Sequence, residues 1–115
     1  MSLPILTRHL IQTKLTAYCA GRLPPERRDK IRLEIEFDGE SVTLSESRPH
    51  FRQAGVWTRL PVARFRFNLA SGTWTLYRPK LGQSETWQIY PGKPERDLDK
   101  LIRLLDTDES GAFWG

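Results

Sequence analysis

The sequence predicts an α+β fold in which an N-terminal helix and a C-terminal helix cover one face of a five-stranded antiparallel sheet. Three observations predict this fold. Apolar residues recur at helical spacing near both ends of the chain, they alternate with polar residues through the middle, and turn signals separate the alternating segments. The length of 115 residues is typical of one domain. We therefore predict a single domain over residues 1–115.

The first segment is predicted to be a helix over residues 4–21. Ile11, Leu15, Tyr18 and Cys19 follow the spacing i, i+4, i+7, i+8, which forms one stripe along a helix. A glycine and two prolines follow, and these residues end helices. Because the only cysteine lies in the apolar stripe, we predict that its thiol is buried and unreactive.

The middle of the chain, residues 31–90, is predicted to form the sheet as a meander. The first two strands are joined at Asp38-Gly39, a dipeptide that is typical of two-residue hairpin turns. A turn at these two residues would pair Ile35 with Val42. Apolar side chains would then face one another, so this register is self-consistent.

The third strand is predicted over residues 62–67, after a loop. A turn at Leu69-Ala70-Ser71-Gly72 follows, and it pairs Phe67 with Trp74 and Phe65 with Leu76. These pairs continue the apolar face of the sheet across the third and fourth strands.

The fifth strand is predicted to pair Trp87 with Leu76. This register would place Trp87 and Ile89 on the apolar face. It would also set Arg78 opposite Glu85, where we expect an exposed ion pair.

The last helix is predicted over residues 95–106. Its apolar stripe has the spacing i, i+3, i+4, i+7 and consists of Leu98, Leu101, Ile102 and Leu105. Residues 107–115 form an aromatic tail. We predict that Phe113 and Trp114 fold back onto the end of the core, because two exposed aromatic side chains would make an adhesive patch.

Composition limits the class of protein. Eighteen basic residues against fourteen acidic ones give a net charge of +4, and one cysteine excludes an internal disulfide. A lone thiol is typical of a reducing compartment, so we predict a cytoplasmic protein. No apolar run approaches the roughly 20 residues needed to span a bilayer, and no signal peptide opens the chain, so no membrane association is predicted.

Several segments together resemble a known family. They are Cys19 with Arg22-Leu23-Pro24-Pro25, Val42-Thr43-Leu44, Arg48-Pro49, Pro61 to Phe67, Gly72 to Tyr77, and Gly111-Ala112-Phe113-Trp114-Gly115. These segments resemble the bacterial family called domain of unknown function 3024, and the likeness runs from about Leu10 to Gly115. The resemblance implies a small stand-alone bacterial protein. The family carries no assigned activity, cofactor or catalytic residue, so the resemblance transfers none.

No catalytic or metal site is predicted. His9, Cys19 and His50 are far apart in the sequence, and no two of them have the short spacing of metal ligands. No set of nucleophile, base and orienting group can be assembled from the sequence. We therefore predict no cofactor and no catalytic residues, and an uncharacterised enzyme is the third-ranked hypothesis for function.

The basic middle of the chain is the feature that points to a function. Between Ser47 and Ser84 there are seven basic residues and no acidic one. The predicted register places Arg64, Arg66, Tyr77 and Tyr90 on the face away from the core. Arginines contact phosphates and aromatic rings stack on bases, which is how open sheets bind single strands. The predicted site residues are Arg48, Arg52, Arg59, Arg64, Arg66, Tyr77 and Tyr90.

The sequence therefore favours a small non-catalytic binding module for nucleic acid or another polyanion. The same outward pattern of arginine, threonine and tyrosine is also found on ordinary half-exposed sheets. The alternative is a protein interaction module, including a homodimer formed through the open sheet face or an edge strand. Glu34, Glu36 and the acidic last helix are the groups within the chain that could neutralise the arginines.

Overall fold

The structure is a computed structural model that describes residues 2–80 and 86–114. These residues form two α-helices and one antiparallel sheet of five strands that lie side by side in chain order. Helix α1 spans Ile5–Arg22, a single 3₁₀ turn spans Pro25–Arg27, and helix α2 spans Leu98–Thr107. The strands are β1 (Arg32–Asp38), β2 (Ser41–Pro49), β3 (Trp57–Asn68), β4 (Thr73–Pro79) and β5 (Trp87–Ile89).

Both helices pack on the same face of the sheet, which confirms the predicted fold class. The buried core consists of Ile11 and Leu15 from α1, Leu98, Leu101 and Leu105 from α2, and Val42, Leu44, Ala63, Phe65, Trp74 and Leu76 from the strands. Alternate strand residues face the helices because successive side chains point to opposite sides of a sheet. The helices thus cover one face and leave the other without a second layer.

Helix α2 begins at Leu98, three residues later than predicted. Glu95 forms an isolated antiparallel bridge with Trp74, in which the two residues exchange backbone hydrogen bonds of 2.9 and 2.7 Å. This bridge keeps the chain extended before the helix. The side chain of Asp97 then accepts a hydrogen bond of 3.0 Å from the amide of Asp99 and caps the helix.

The turn between β1 and β2 is one residue later than predicted. Asp38 pairs with Ser41, so Gly39 and Glu40 form the turn, and Gly39 has a φ of +58°. Ile35 consequently pairs with Leu44, and the predicted pairing of Ile35 with Val42 is wrong. The register moves by two residues, so the apolar side chains keep the same face.

Strand β3 pairs with β4 as predicted but is longer than the predicted third strand. Phe67 lies opposite Trp74 and Phe65 opposite Leu76. The strand starts at Trp57 because β2 continues to Pro49 and pairs with it. Where β2 meets β3, Leu44 pairs with Ala63 while Ser45 pairs with Pro61, so Val62 is an extra residue in a β-bulge.

Strand β5 has a different register from the predicted one. Tyr77 pairs with Ile89 and Pro79 with Trp87, so the predicted pairing of Trp87 with Leu76 is wrong. The reason is that Tyr90, not Ile89, turns to the core, where its ring lies 4.9 Å from that of Phe113. Leu76 lies beside Tyr90 and not beside Trp87, so the register differs by three residues, and any odd shift moves every side chain of a strand to the other face. Glu85 lies outside the described residues.

The aromatic tail folds back onto the core. Phe113 is 7 % exposed and belongs to the core cluster. Asp108 ends α2 in the left-handed region with a φ of +46°, and its carboxylate accepts hydrogen bonds from the amides of Phe113 (3.0 Å) and Trp114 (2.8 Å). One carboxylate therefore directs the tail across the end of the sheet.

We expect Phe113→Ala to lower the free energy of unfolding by about 3 kcal/mol, because it removes a large buried side chain. Phe51→Ala is the matched control, since Phe51 is 84 % exposed and its loss should change stability by less than about 0.5 kcal/mol. Urea unfolding followed by circular dichroism measures both variants. Equal midpoints for the two variants would show that the tail does not contribute to the core.

Cys19 is half-buried against the core, and this burial raises the pKa of its thiol from 9.0 to about 11. At pH 8 the thiolate fraction should then be about a hundredfold below that of an ordinary thiol, since each pKa unit is a factor of ten. We expect native protein to react with a disulfide reagent at least tenfold more slowly than protein unfolded in urea. The thiol is thus only partly buried and not fully buried as predicted, and comparable rates in the two states would show that this partial burial does not protect it.

Candidate nucleic-acid interface

The face of the sheet opposite the helices is called here the outer face. Its centre is formed by Thr43, Ser45 and Ser47 of β2, which are only 9, 2 and 3 % exposed although no helix lies above them. Longer side chains from β1 and β3 lean over these small residues and cover them. The result is a shallow trough of about 510 Å³, lined by Glu36, Thr43, Ser45, Arg59, Pro61, Arg64 and Trp87.

Arg64 lies at the centre of the trough wall. Its Nε donates a hydrogen bond of 3.1 Å to Thr43 Oγ1, and its guanidinium lies 4.7 Å from the centroid of the Trp87 ring. Tyr77 is the cross-strand neighbour of Arg64 on β4, as predicted. Three elements therefore fix the position of one guanidinium, which has no acidic partner among the described residues.

A second stack of arginine on tryptophan lies at the far end of the outer face. The guanidinium of Arg32 on β1 lies 3.7 Å from the centroid of Trp57 on β3. The two strands are separated by β2, and the small Ser47 between them leaves room for this contact. Next to it, Arg59 forms an ion pair with Glu36.

The charges of the outer face are unequally distributed. Among the residues that the structure describes, its acidic side chains are Glu34, Glu36 and Asp38, and all three belong to the edge strand β1. Arg66 lies on β3 opposite Thr75, is exposed, and forms no ion pair within the part of the chain that the structure describes. The half of the face formed by β3 to β5 is thus positive, and the edge formed by β1 is negative.

Arg52 lies in the loop between β2 and β3, beyond the trough. Its guanidinium is 5.0 Å from the centroid of Phe51, and Phe51 stacks on His50 with a centroid distance of 5.1 Å. His50 Nδ1 accepts hydrogen bonds from the amides of Arg52 (3.1 Å) and Gln53 (3.2 Å), which shapes the loop. Phe51 and Arg52 are exposed, and His50 is partly buried.

Besides Arg52 in the β2–β3 loop, two more of the seven residues predicted for the site lie away from the outer face. Arg48 faces the helix side of the sheet, because residue 48 alternates with Ser47, and it pairs there with Glu46. Tyr90 faces the core against Phe113 as a consequence of the shifted β5 register. The outer face therefore brings together Arg59, Arg64, Arg66 and Tyr77, and it excludes Arg48 and Tyr90.

Sequence reasoning missed Arg32, Trp57 and Trp87 as residues of this face. Simple alternation from Phe65 places residue 61 and its odd-numbered neighbours in the core. The bulge at Val62 shifts this phase and turns Trp57 outward. The alternation of Arg32 with apolar Leu33 does predict that Arg32 points away from the core, but it does not predict the contact of Arg32 with Trp57 across β2.

On the opposite side of the sheet, a cleft of about 450 Å³ separates the end of α1 from the tail. Arg22 spans it, with its guanidinium 3.9 Å from the centroid of Trp114 and 3.3 Å from a carboxylate oxygen of Asp106. The hydroxyl of Tyr18 donates a hydrogen bond of 3.2 Å to the same carboxylate. Burial is the main cause that raises the pKa of Tyr18 to about 12; Asp106 adds to this, while Arg22 and Trp114 oppose it.

The described residues show no arrangement for metal binding. Across residues 2–80 and 86–114, no three side chains of histidine, cysteine, aspartate or glutamate converge on one point. In the same ranges no helix has both the length and the hydropathy required to cross a bilayer. His50 lies in the β2–β3 loop, whereas Cys19 packs against the core.

Comparison with known proteins identifies the family. The chain has no significant match among curated proteins or among solved structures. The family model described as "Domain of unknown function (DUF3024)" matches residues 3–115, which is essentially the whole chain. The resemblance found in the sequence is thereby confirmed, and the protein belongs to the DUF3024 family.

Proposed function

We propose that this protein is a non-catalytic binding module that holds single-stranded nucleic acid on its outer face. The observation that carries the proposal is the pair of arginine–tryptophan stacks on a sheet face that no helix covers. One stack joins Arg64 and Trp87 at 4.7 Å, and the other joins Arg32 and Trp57 at 3.7 Å. The trough of hydroxyl-bearing residues lies between them.

The chemistry of these stacks suits a strand of nucleotides. A guanidinium whose flat face rests on an indole keeps its N–H groups directed along its own plane, where phosphate oxygens accept them. Aromatic rings on a sheet offer flat surfaces to any base, so such sites bind with little sequence preference. Arg64 and Trp87 therefore supply a phosphate contact and a stacking surface side by side.

The length of the positive surface is consistent with a short single strand. Arg59 and Arg66 are seven residues apart on β3, which corresponds to roughly 20 Å at the rise of a β-strand. Sheet-based modules that bind single strands have site sizes that start at about four nucleotides. A strand that follows β3 would meet Arg59, Arg64 and Arg66 in turn.

The acidic edge of the outer face lowers the expected affinity. Glu36 already neutralises Arg59, and Asp38 lies in the same cross-strand row as Arg66. A polyanion is therefore favoured along β3 to β5 and repelled from β1. We expect weak binding that decreases as the salt concentration rises, because phosphate contacts release counterions.

The non-catalytic part of the proposal is supported by the placement of the reactive side chains. The half-buried Cys19 has a raised pKa, which opposes the thiolate form that nucleophilic catalysis needs. Among the described residues that line the trough, Glu36 is the one carboxylate, and it forms an ion pair with Arg59. Neither arrangement resembles a nucleophile held next to a base.

We expect the double variant Arg64→Glu, Arg66→Glu to lose binding to a fluorescein-labelled oligothymidylate in low-salt buffer, as measured by fluorescence anisotropy. The matched control is Arg96→Glu, Arg103→Glu, which makes the same change in net charge at exposed arginines near and on α2. The control should bind within about twofold of the unmodified chain, since long-range charge effects are screened beyond roughly 10 Å. Thermal unfolding establishes that each variant is folded.

Two results would contradict the proposal: no binding by the unmodified chain at low salt, or equal losses in the two double variants. The second result would show that net charge, and not the outer face, determines the interaction.

Three phosphate contacts should give a slope of about −2 in a plot of log affinity against log salt.

We also expect Trp87→Leu to weaken binding to the oligonucleotide at least about fivefold, because stacking contributes roughly 1–3 kcal/mol per base. Binding to inorganic polyphosphate should change by less than twofold, since this polyanion has phosphates but no bases. Anisotropy competition with each ligand measures the two affinities. Equal losses for both ligands would show that Trp87 only supports Arg64 and does not stack on a base.

A further inference from the structure

The solvent-facing side of helix α1 carries no charged residue, in a chain of which 28 % of the residues are charged. We call this side the outward face of α1. Its exposed members are Ile5, Leu6, His9, Leu10, Gln12, Thr13, Thr16, Ala17, Ala20 and Gly21. A solvated helix normally presents charged and polar residues to water, so this face is unusual for a free surface.

Arg8 and Arg22 of α1 are also exposed, but each charged group of this helix contacts a residue that lies outside the outward face. The guanidinium of Arg8 lies 4.2 Å from the centroid of the Phe37 ring. Lys14 forms an ion pair of 2.8 Å with Asp99, and Arg22 forms one of 3.3 Å with Asp106. The charged side chains of α1 thus lie beside the apolar stripe that packs on the sheet. None of them lies on the outward face.

The outward face is bulky at one end and small at the other. Ile5 and Leu6 are 82 and 81 % exposed, and Leu10 is 46 % exposed. Toward the other end of the helix, the face consists of Ala17 and its small neighbours, and a Cβ added at Gly21 would meet nothing within 4 Å. The large exposed side chains and the small residues are therefore separated along the helix by about three turns.

We propose that a second copy of this chain binds to the outward face of α1, with the two helices antiparallel around a two-fold axis near Thr13. This axis brings Leu10 of one copy to Ala17 of the other and Leu6 to Gly21. The large side chains at the start of each helix then pack against the small residues at the end of the other helix, and the two-fold axis makes this contact occur twice. A two-fold interface needs such self-complementarity, because the same patch must serve both subunits.

Charge also favours a second copy as the occupant. The protein has a net charge of +4, so most contacts between two copies would be opposed by repulsion. The outward face of α1 is a surface where two copies meet without placing a Lys, Arg, Asp or Glu against its equivalent. Small residues at a helix crossing also allow the two backbones to approach closely.

The size of the contact predicts a weak dimer. A helix of 18 residues is about 27 Å long at 1.5 Å per residue, and its face is about 10 Å wide. Such a footprint is about 270 Å² on each copy, which is well below the roughly 1,200 Å² in total that specific interfaces bury. We therefore expect dimers at concentrations on the order of 100 μM, with the monomer predominant near 1 μM.

The geometry of this dimer leaves both outer faces accessible. Helix α1 lies on the opposite side of the sheet from the outer face, so pairing through α1 directs the two outer faces away from one another. The dimer is inferred from α1 alone and does not depend on what the outer face binds.

Sedimentation equilibrium from about 1 to 500 μM should show an increase in average mass toward that of a dimer. Leu6→Glu with Leu10→Glu should abolish the increase, because two carboxylates would meet an apolar partner. The matched control is Leu60→Glu with Leu69→Glu, at two other leucines that are 57 and 53 % exposed, and it should dimerise like the unmodified chain. A monomer at every concentration, or equal losses in the two pairs, would overturn the proposal.

Disulfide formation tests the antiparallel arrangement. In a Cys19→Ala background, Leu6→Cys and Ala20→Cys are oxidised separately and as a mixture. The two positions are 14 residues or about 21 Å apart on one helix, and a disulfide requires Cα atoms within about 7 Å. We expect cross-linked dimers in the mixture and none in either variant alone. Cross-linking of a single variant would indicate parallel helices and overturn the proposal, and so would a mixture that stays uncross-linked.

Discussion

The burial of Phe65 at the centre of β3 determines which way the neighbouring side chains face. This ring is fully buried between the two helices and the sheet, and its strand is paired on both sides. Because alternation has a period of two, a fixed Phe65 sends Arg64 and Arg66 to the outer face. The cross-strand partners then follow, since Val42 and Leu76 must lie beside Phe65 in the core. At the bulge at Val62 the alternation changes phase, so Phe65 no longer determines which way the residues before Val62 face.

The parts of the fold that the sequence predicts are those in which local turn chemistry and apolar pairing agree. The β3–β4 hairpin is one case, because the turn and the pairing of Phe67 with Trp74 lead to the same register. The helix stripe of α1 is another, and its observed bounds differ from the predicted ones by one residue at each end. Long apolar side chains at regular spacing leave few alternatives in these segments.

The remaining differences have physical causes that the pattern does not contain. For β5, both Trp87 and Tyr90 are aromatic, and either could have faced the core. The contact of Tyr90 with Phe113, which is 23 residues further along the chain, decides between them. The bulge at Val62 places two successive apolar residues, Val62 and Ala63, in the core, and this resembles an ordinary buried run. The candidate site depends on both features, so only four of its seven predicted residues lie on the outer face.

The contacts of the guanidinium groups explain why arginine outnumbers lysine by thirteen to five. Five arginines of the described residues lie over aromatic rings, whereas such contacts occur about once per 70–80 residues in proteins generally. A planar cation stacks on a ring, and an ammonium group does so less well. Most of these contacts are partly exposed, so each contributes roughly 0.5–1 kcal/mol. Their shared effect is to fix long side chains at defined places on both faces of the sheet.

Strand β3 is paired differently at its two ends. Residues 64–66 are paired with β2 on one side and with β4 on the other, whereas β2 is the only strand among the described residues that pairs with residues 57–61. We therefore expect the amide protons of the first segment to exchange with solvent more slowly than those of the second, because exchange in the first segment requires larger openings of the core. The fraying end carries Trp57, Arg59 and Phe51 near its tip, so this end can separate and close again while the helices remain packed on Phe65. The molecule thus combines a rigid half, which sets the register, with a half that can adapt its shape at little cost.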